Sequence, residues 1–204
     1  MKWTAILPLK PAAERKNRLA SVLSPAERKR LTETLLEHAT LALRGCDRIG
    51  SIHLLSASAP ADWSEDWIAD AGRGLNDELS AARFLLGAVP LVVIHPDLPL
   101  LSTGDVEALI DAAESSGVAI APDRHRTGTN AVAVAAGIDF GFRFGPGSFI
   151  AHRNQGVRPE AVIEAPGLMI DLDTPEDLDC AVAGGFVMSP ASAQSLPGEG
   201  REPV

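Results

Sequence analysis

Three carboxylates are the residues of this chain best placed to do chemistry: Asp97 in IHPDLPLL, and Asp171 and Asp173 in MIDLDTPEDL. Each follows an apolar run and precedes a helix-start signal. That puts all three on the carboxyl edge of one sheet, where open α/β proteins bind ligands. One residue separates Asp171 from Asp173, so in an extended segment their side chains face the same side. Two carboxylates so close repel unless a cation lies between them. Hard oxygen ligands suit Mg²⁺, and Mg²⁺ held by few protein ligands usually accompanies a phosphate-bearing substrate. Plainer roles compete with this one. Asp97 could serve only as a turn former, and Asp173 could help cap the last helix, although Thr174 already supplies that cap.

A second group is cationic. Lys10, Lys16 and Arg18 lie between the first predicted strand and the first predicted helix, in a turn that opens at the same edge. Backbone N–H groups there add to the positive field; solvated loop charge is the alternative. No GxGxxG or Walker-type glycine loop is present, so a standard dinucleotide or P-loop site is unsupported. In Asp123-Arg124-His125-Arg126-Thr127-Gly128-Thr129-Asn130, two arginines and small hydroxyl residues precede a strand. This reads as an anion-binding loop or as a polar hairpin connection. In FGPGSFIAH, Ser148 begins a predicted helix whose N–H groups could take a carboxylate or phosphate. His152, one turn on, reads as a packing or backbone-bonding residue, not a catalyst.

The elements that must position these groups alternate strand and helix. Apolar runs at 3–7, 52–56, 91–95, 118–122, 130–135 and 168–172 predict strands,. Ser24-Pro25-Ala26-Glu27 predicts a capping box opening a helix that stops near Gly45. Asn76 is the expected cap of a helix through Leu86, Ser102 opens one ending near Gly117, and Thr174 caps the last. The pattern predicts an α/β, Rossmann-like fold with a mostly parallel, mixed central sheet flanked by helices. Residues 1–187 form one domain in this reading. Residues 188–204, rich in Ser, Pro, Gly and Glu, are expected to be a disordered tail.

Composition narrows the class. At 204 residues and 46% hydrophobic content, the chain can bury a full core without a membrane span,. The opening MKWTAILPLKP makes a poor signal peptide and a good first strand, and a cytoplasmic protein is expected. Cys46 and Cys180 have no partner spacing, so neither a disulfide framework nor a zinc site is indicated. Net charge is −9, yet residues 1–30 carry eight Lys/Arg against Glu14 and Glu27. Overall acidity argues against nucleic acid; the basic opening suits a small anion held locally. Trp63 and Trp67 could face a second subunit, as in a homodimer, or cover the core's edge.

Six segments in order, LPLKP with AERKNRLA, GLNDEL, HPDLPLL, APDRHRTGTNAV, FGPGSFIAH and DLDTPEDL, resemble the guanylyltransferases of deazaflavin coenzyme F-420 biosynthesis. These act on 2-phospho-L-lactate, phosphoenolpyruvate or 3-phospho-D-glycerate, and the resemblance spans about residues 3–183. It implies a nucleotidyltransferase fold and GTP as donor. Mg²⁺ would lie on Asp97, Asp171 and Asp173, and the acid at Thr129, Gly145 and Ser148. Lys10, Lys16 and Arg18 would meet the GTP phosphates, with Lys16 and Asp97 catalytic, and Gly74 to Asn76 would lie against the nucleoside. Relatives usually carry a longer stretch where only Arg73 stands between Gly72 and Gly74. Two other readings compete: a nucleotidyltransferase for another phosphorylated acceptor, and a non-catalytic nucleotide-binding protein.

Overall fold

The computed structural model describes residues 1–9, 16–156 and 160–187. Lys10 and the tail expected at 188–204 lie outside them. In chain order the elements are β1 (Trp3–Pro8), a 3-10 turn (Asn17–Leu19), α1 (Pro25–Gly45), β2 (Ile49–Ser56), β3 (Asp66–Ala69), α2 (Leu75–Leu86), β4 (Leu91–Ile94), α3 (Thr103–Ser116), β5 (Val118–Pro122), β6 (Thr129–Val134), α4 (Ser148–Arg153), β7 (Glu160–Val162), α5 (Pro166–Met169) and α6 (Pro175–Ala183).

The strands form one seven-stranded sheet in the order β3-β2-β1-β4-β6-β5-β7. Neighbours are parallel except β6, which runs against both β4 and β5. The reversal has a functional consequence. The first residues of β6 reach the same edge as the last residues of β1, β4 and β5. That edge is where the candidate site residues gather.

Period-two alternation sends side chains to two cores. On one face Ala5, Leu7, Val92, Ile94, Ala119, Ala121, Ala131 and Ala133 meet α1 and α3 through Leu36, Leu43, Val106, Leu109 and Ile110. On the other, Ile6, Val93, Ile120 and Val132 meet α2 and three phenylalanines, Phe140, Phe142 and Phe144. A third, smaller cluster of Leu19, Leu31, Leu35, Leu172, Ala181 and Phe186 sits under the candidate site. Three helices start with full capping boxes, Ser24/Glu27, Ser102/Asp105 and Thr174/Asp177, each satisfying N–H groups that would otherwise lack partners,.

The structure corrects several expectations. Residues 168–172 are not a strand. Pro166 opens the short helix α5, and the chain then bends so that the Asp173 N–H donates to the Asp171 carbonyl at 3.1 Å. The seventh sheet position is taken by β7, and a further edge strand, β3, fills the connection around Trp67. Asn76 does not cap α2; Gly74 holds the N-cap, at φ 96°, a backbone setting that favours glycine,. Of the two tryptophans, Trp63 packs against the core, while Trp67 is half exposed on β3 and donates to Ser56.

Candidate active site

The segment carrying Asp171 and Asp173 reaches the sheet without belonging to it. Asn130 Nδ2 donates to the Leu168 carbonyl at 2.9 Å, and the Arg124 N–H donates to the Met169 carbonyl at 2.8 Å. The Leu172 N–H donates to the Asp97 carbonyl at 2.9 Å, and the Leu172 side chain is fully buried. One buried leucine between two aspartates thus brings both carboxylates to the exit of β4. Gly167 tolerates this close approach because it lacks a side chain: a Cβ there would stand 2.5 Å from the Leu100 carbonyl.

Lys16 stands between the aspartates. Its Nζ lies 3.1 Å from Asp97 Oδ2 and 3.2 Å from Asp173 Oδ1. Its backbone is left-handed, φ 54°, a conformation costly for a residue with a Cβ and one that concentrates at functional sites,. Leu19, fully buried, anchors the 3-10 turn beneath it. Burial opposes the Lys16 ammonium, but Asp97 and Asp173 outweigh it and hold the pKa above its ordinary value. Burial likewise opposes the Asp97 carboxylate, and Lys16 more than compensates, so its pKa falls below the usual range. Among the described residues, no cation pairs with Asp171. Burial first, then the Asp97 charge, pushes its pKa up to about 6.

Among the described residues, no three His, Cys, Asp or Glu side chains close into a metal-sized cluster. Lys16 is the cation that now occupies the gap. Even so, Asp97 Oδ1 is buried and accepts no hydrogen bond among the described residues. Beside this group opens a cleft of about 250 Å³, lined by Pro8, Lys16, Arg18, His95, Asp97 and Asp173 among others. Arg18 is exposed at its rim.

The other expected site residues collect on the far side of β4. The antiparallel register pairs Ile94 with Ala131, and the His95 N–H donates to the Asn130 carbonyl at 2.9 Å. Continued by one residue, it sets Thr129 across from Pro96, next to the Asp97 turn. Gly145 and Gly147 both have positive φ, 127° and 72°, and turn the chain into α4, where Ser148 is buried. The Phe149 N–H donates to the Thr127 carbonyl, joining this turn to the start of β6.

Three side chains hold that region in place: Asn76, His152 in the backbone-bonding role expected of it, and Gln155, which sequence reading passed over. Asn76 grips the Phe144 backbone from both sides: Nδ2 donates to its carbonyl at 3.0 Å and Oδ1 accepts from its N–H at 2.7 Å. The amide expected beside the nucleoside is therefore engaged with the Phe144-Gly145 turn. Gln155 clasps Gly141 in the same way, and His152 accepts from the Arg143 N–H. The arginines of the expected anion loop are also engaged, Arg124 with Asp177 at 2.6 Å and Arg126 with Glu164. Asp123 folds that loop on itself, accepting from the N–H groups of His125, Thr127 and Gly128. Gly74 lies above Glu78, which is buried and receives the Ala71 and Arg73 N–H groups.

A family model described as guanylyl transferase CofC like matches residues 3–185. The chain belongs to this family. Among its relatives, a phosphoenolpyruvate guanylyltransferase of Sphaerobacter thermophilus is 33% identical, the match covering 96% of this chain and 99% of the relative. One of Rubrobacter xylanophilus is 38% identical over 92% of this chain and 97% of the relative. Solved structures confirm the fold at low identity. A putative nucleotide-diphospho-sugar transferase of Desulfovibrio desulfuricans superposes with a TM-score of 0.68 at 16% identity, over 88% of this chain and 86% of that one. A nucleotidyl transferase of Methanothermobacter thermautotroptrophicus gives 0.63 at 12%, over 90% and 99%. The CofC-like chain thus has a nucleotidyltransferase fold and is a guanylyltransferase by family. No helix among the described residues is long and apolar enough to cross a membrane.

Proposed function

We propose that this chain transfers GMP from GTP to a phosphorylated three-carbon acid, releasing diphosphate, as a step in making coenzyme F-420. The acid is phosphoenolpyruvate, 2-phospho-L-lactate or 3-phospho-D-glycerate. The names of its relatives favour the first. The observation that carries this reading is a buried Asp97 oxygen lacking a partner among the described residues, close enough to Asp171 to raise its pKa, beside a cleft that Lys16 and Arg18 help to line.

The residues fit Mg²⁺. Asp97 Oδ1 is buried without a donor among the described residues, and Asp171 is an anion in need of a cation. Asp97, Asp171 and Asp173 would hold the ion, which when bound supplies positive charge for the developing negative charge on diphosphate. The remaining tasks belong to the chain's own groups. Lys16, and Arg18 at the cleft rim, attract and hold the triphosphate, so that two polyanions can share one site. The acceptor phosphate, with a second pKa near ~6, is already largely ionised near neutrality. It attacks the α-phosphorus in line, the bond to the β-phosphate oxygen breaks, and diphosphate leaves. No base need remove a proton. Thr129, Gly145 and Ser148 orient the acid from the opposite side of β4.

Incubation with GTP, Mg²⁺ and each acid in turn, followed by mass spectrometry, tests this. The expected result is a product with the mass of the acid plus GMP, with stoichiometric diphosphate. Absence of that product with all three acids, or equal transfer from CTP, would overturn it.

A further inference from the structure

We infer that His152 is a positioning residue that fixes the polarity of the Thr129 hydroxyl, compelling it to donate its proton to an anionic oxygen of the acceptor acid. This rests on the function proposed above for the same site, but its first test does not.

The argument is one of donors and acceptors. His152, on α4, is almost fully buried. Its Nε2 lies 2.8 Å from the backbone nitrogen of Arg143, a group that can only donate,. Nε2 must therefore accept and carry no proton. The ring is neutral, since burial and the charges of Arg143 and His95 push its pKa down to about 4. A neutral imidazole with a bare Nε2 carries its hydrogen on Nδ1. Nδ1 lies 3.0 Å from Thr129 Oγ1. The threonine oxygen accepts there, and its own O–H is left to donate elsewhere. The opposite tautomer would set two N–H groups against each other at Arg143.

The ring cannot turn freely to escape this arrangement. It stacks on Phe140 with centroids 5.5 Å apart and meets Phe144 edge-on at 4.9 Å. Among the described residues, the ionisable groups that act on it are Arg143 and His95. A threonine hydroxyl ordinarily donates or accepts as its partner requires. Here that freedom is removed, and a fixed donor beside the Asp97 turn selects carboxylate or phosphate oxygens over ammonium or amide N–H groups.

Histidine-selective ¹⁵N NMR of the full chain reads the tautomer directly. The expected result at pH 7 is a protonated Nδ1 and a bare Nε2 for His152. An Nε2–H tautomer or an imidazolium would overturn the inference whether or not the chain transfers GMP. Kinetics supply the second arm. His152→Phe keeps the aromatic packing and is expected to raise KM for the acid about tenfold or more, with little change in kcat or in KM for GTP. His152→Asn, whose amide can sit where Nδ1 was, is expected to recover most of that loss. In a Thr129→Val background, His152→Phe is expected to add little. Equal increases in both KM values, or full additivity with Thr129→Val, would mean that His152 only packs. Loss of all transfer in the unsubstituted chain would instead strike the proposed function, leaving the NMR result to judge this inference.

Discussion

The two halves of the site are held by opposite means. On the Asp97 side, geometry is set by full charges: Lys16 lies within 3.2 Å of two aspartates, and burial and the Asp97 charge outweigh the backbone hydrogen bond that favours the Asp171 carboxylate. On the Thr129 side, neutral side chains grip backbone. Asn76 holds Phe144, Gln155 holds Gly141 and His152 holds Arg143. The segment 140–144 gains by these clasps what a strand gains from a ladder, and its alternate phenylalanines are buried like those of a strand,. The difference suits the two tasks. An ionic cluster can exchange one cation for another when a polyanion arrives, whereas a small acid must find its donors already in place.

The largest expected effect breaks the charged half. Asp171→Asn should lower turnover by a factor on the order of 10²–10³, checked by steady-state diphosphate release. The same change should not destabilise the fold, and the sign follows from linkage. The native pKa is raised to about 6, so the native carboxyl binds more protons than the unfolded one between the two pKa values,. The wild type is therefore penalised increasingly as pH rises toward 6. Without added divalent cation, the Tm of Asp171→Asn should exceed that of wild type above pH 6, and the gain should fade toward pH 4. A lower Tm at pH 8 would contradict the repulsion.

Lys16→Met leaves Asp97 and Asp173 without their cation and should cost about 3 kcal/mol, measured by urea denaturation. Added Mg²⁺ should restore part of it, since the same oxygens would then be shared with another cation. No recovery at millimolar Mg²⁺ would argue that the aspartates are organised for lysine alone. The neutral half should respond differently. Asn76→Leu strands the Phe144 N–H and carbonyl and should cost about 1–3 kcal/mol. Its kinetic effect should fall on KM for the acid, with no sensitivity to Mg²⁺ concentration. A Mg²⁺-dependent phenotype would erase the distinction between the halves.

Elements that announce themselves locally were legible in the sequence. The apolar run 91–95, a strand at Leu91–Ile94 in the structure, the capping box at Ser24, the helix starts at Ser102 and Thr174, and Asp97 at a strand exit all lie where pattern reading puts them. What escaped is non-local or weakly marked. The edge strands β3 and β7, DWIA and EAV, are short and partly exposed, with no clear alternation,. Residues 168–172 look like a strand because LMI is apolar, yet Pro166 opens a helical turn and two carbonyls of the segment are taken by Asn130 and Arg124. Asn76 has the look of a helix cap, but its partner is 68 residues away, beyond the reach of any window. The arginines at 124 and 126 read as anion binders because the carboxylates that engage them, Asp177 and Glu164, lie far off in sequence.

Leu172 makes the charged half depend on something uncharged. Because no ladder of strand bonds holds Asp171 and Asp173, the spacing between these carboxylates is maintained by a greasy plug seated among Leu19, Leu31 and Leu35. Trimming that plug would leave every ionisable group in the molecule untouched and still detune the electrostatics, much as a loosened bridge puts a stringed instrument out of tune.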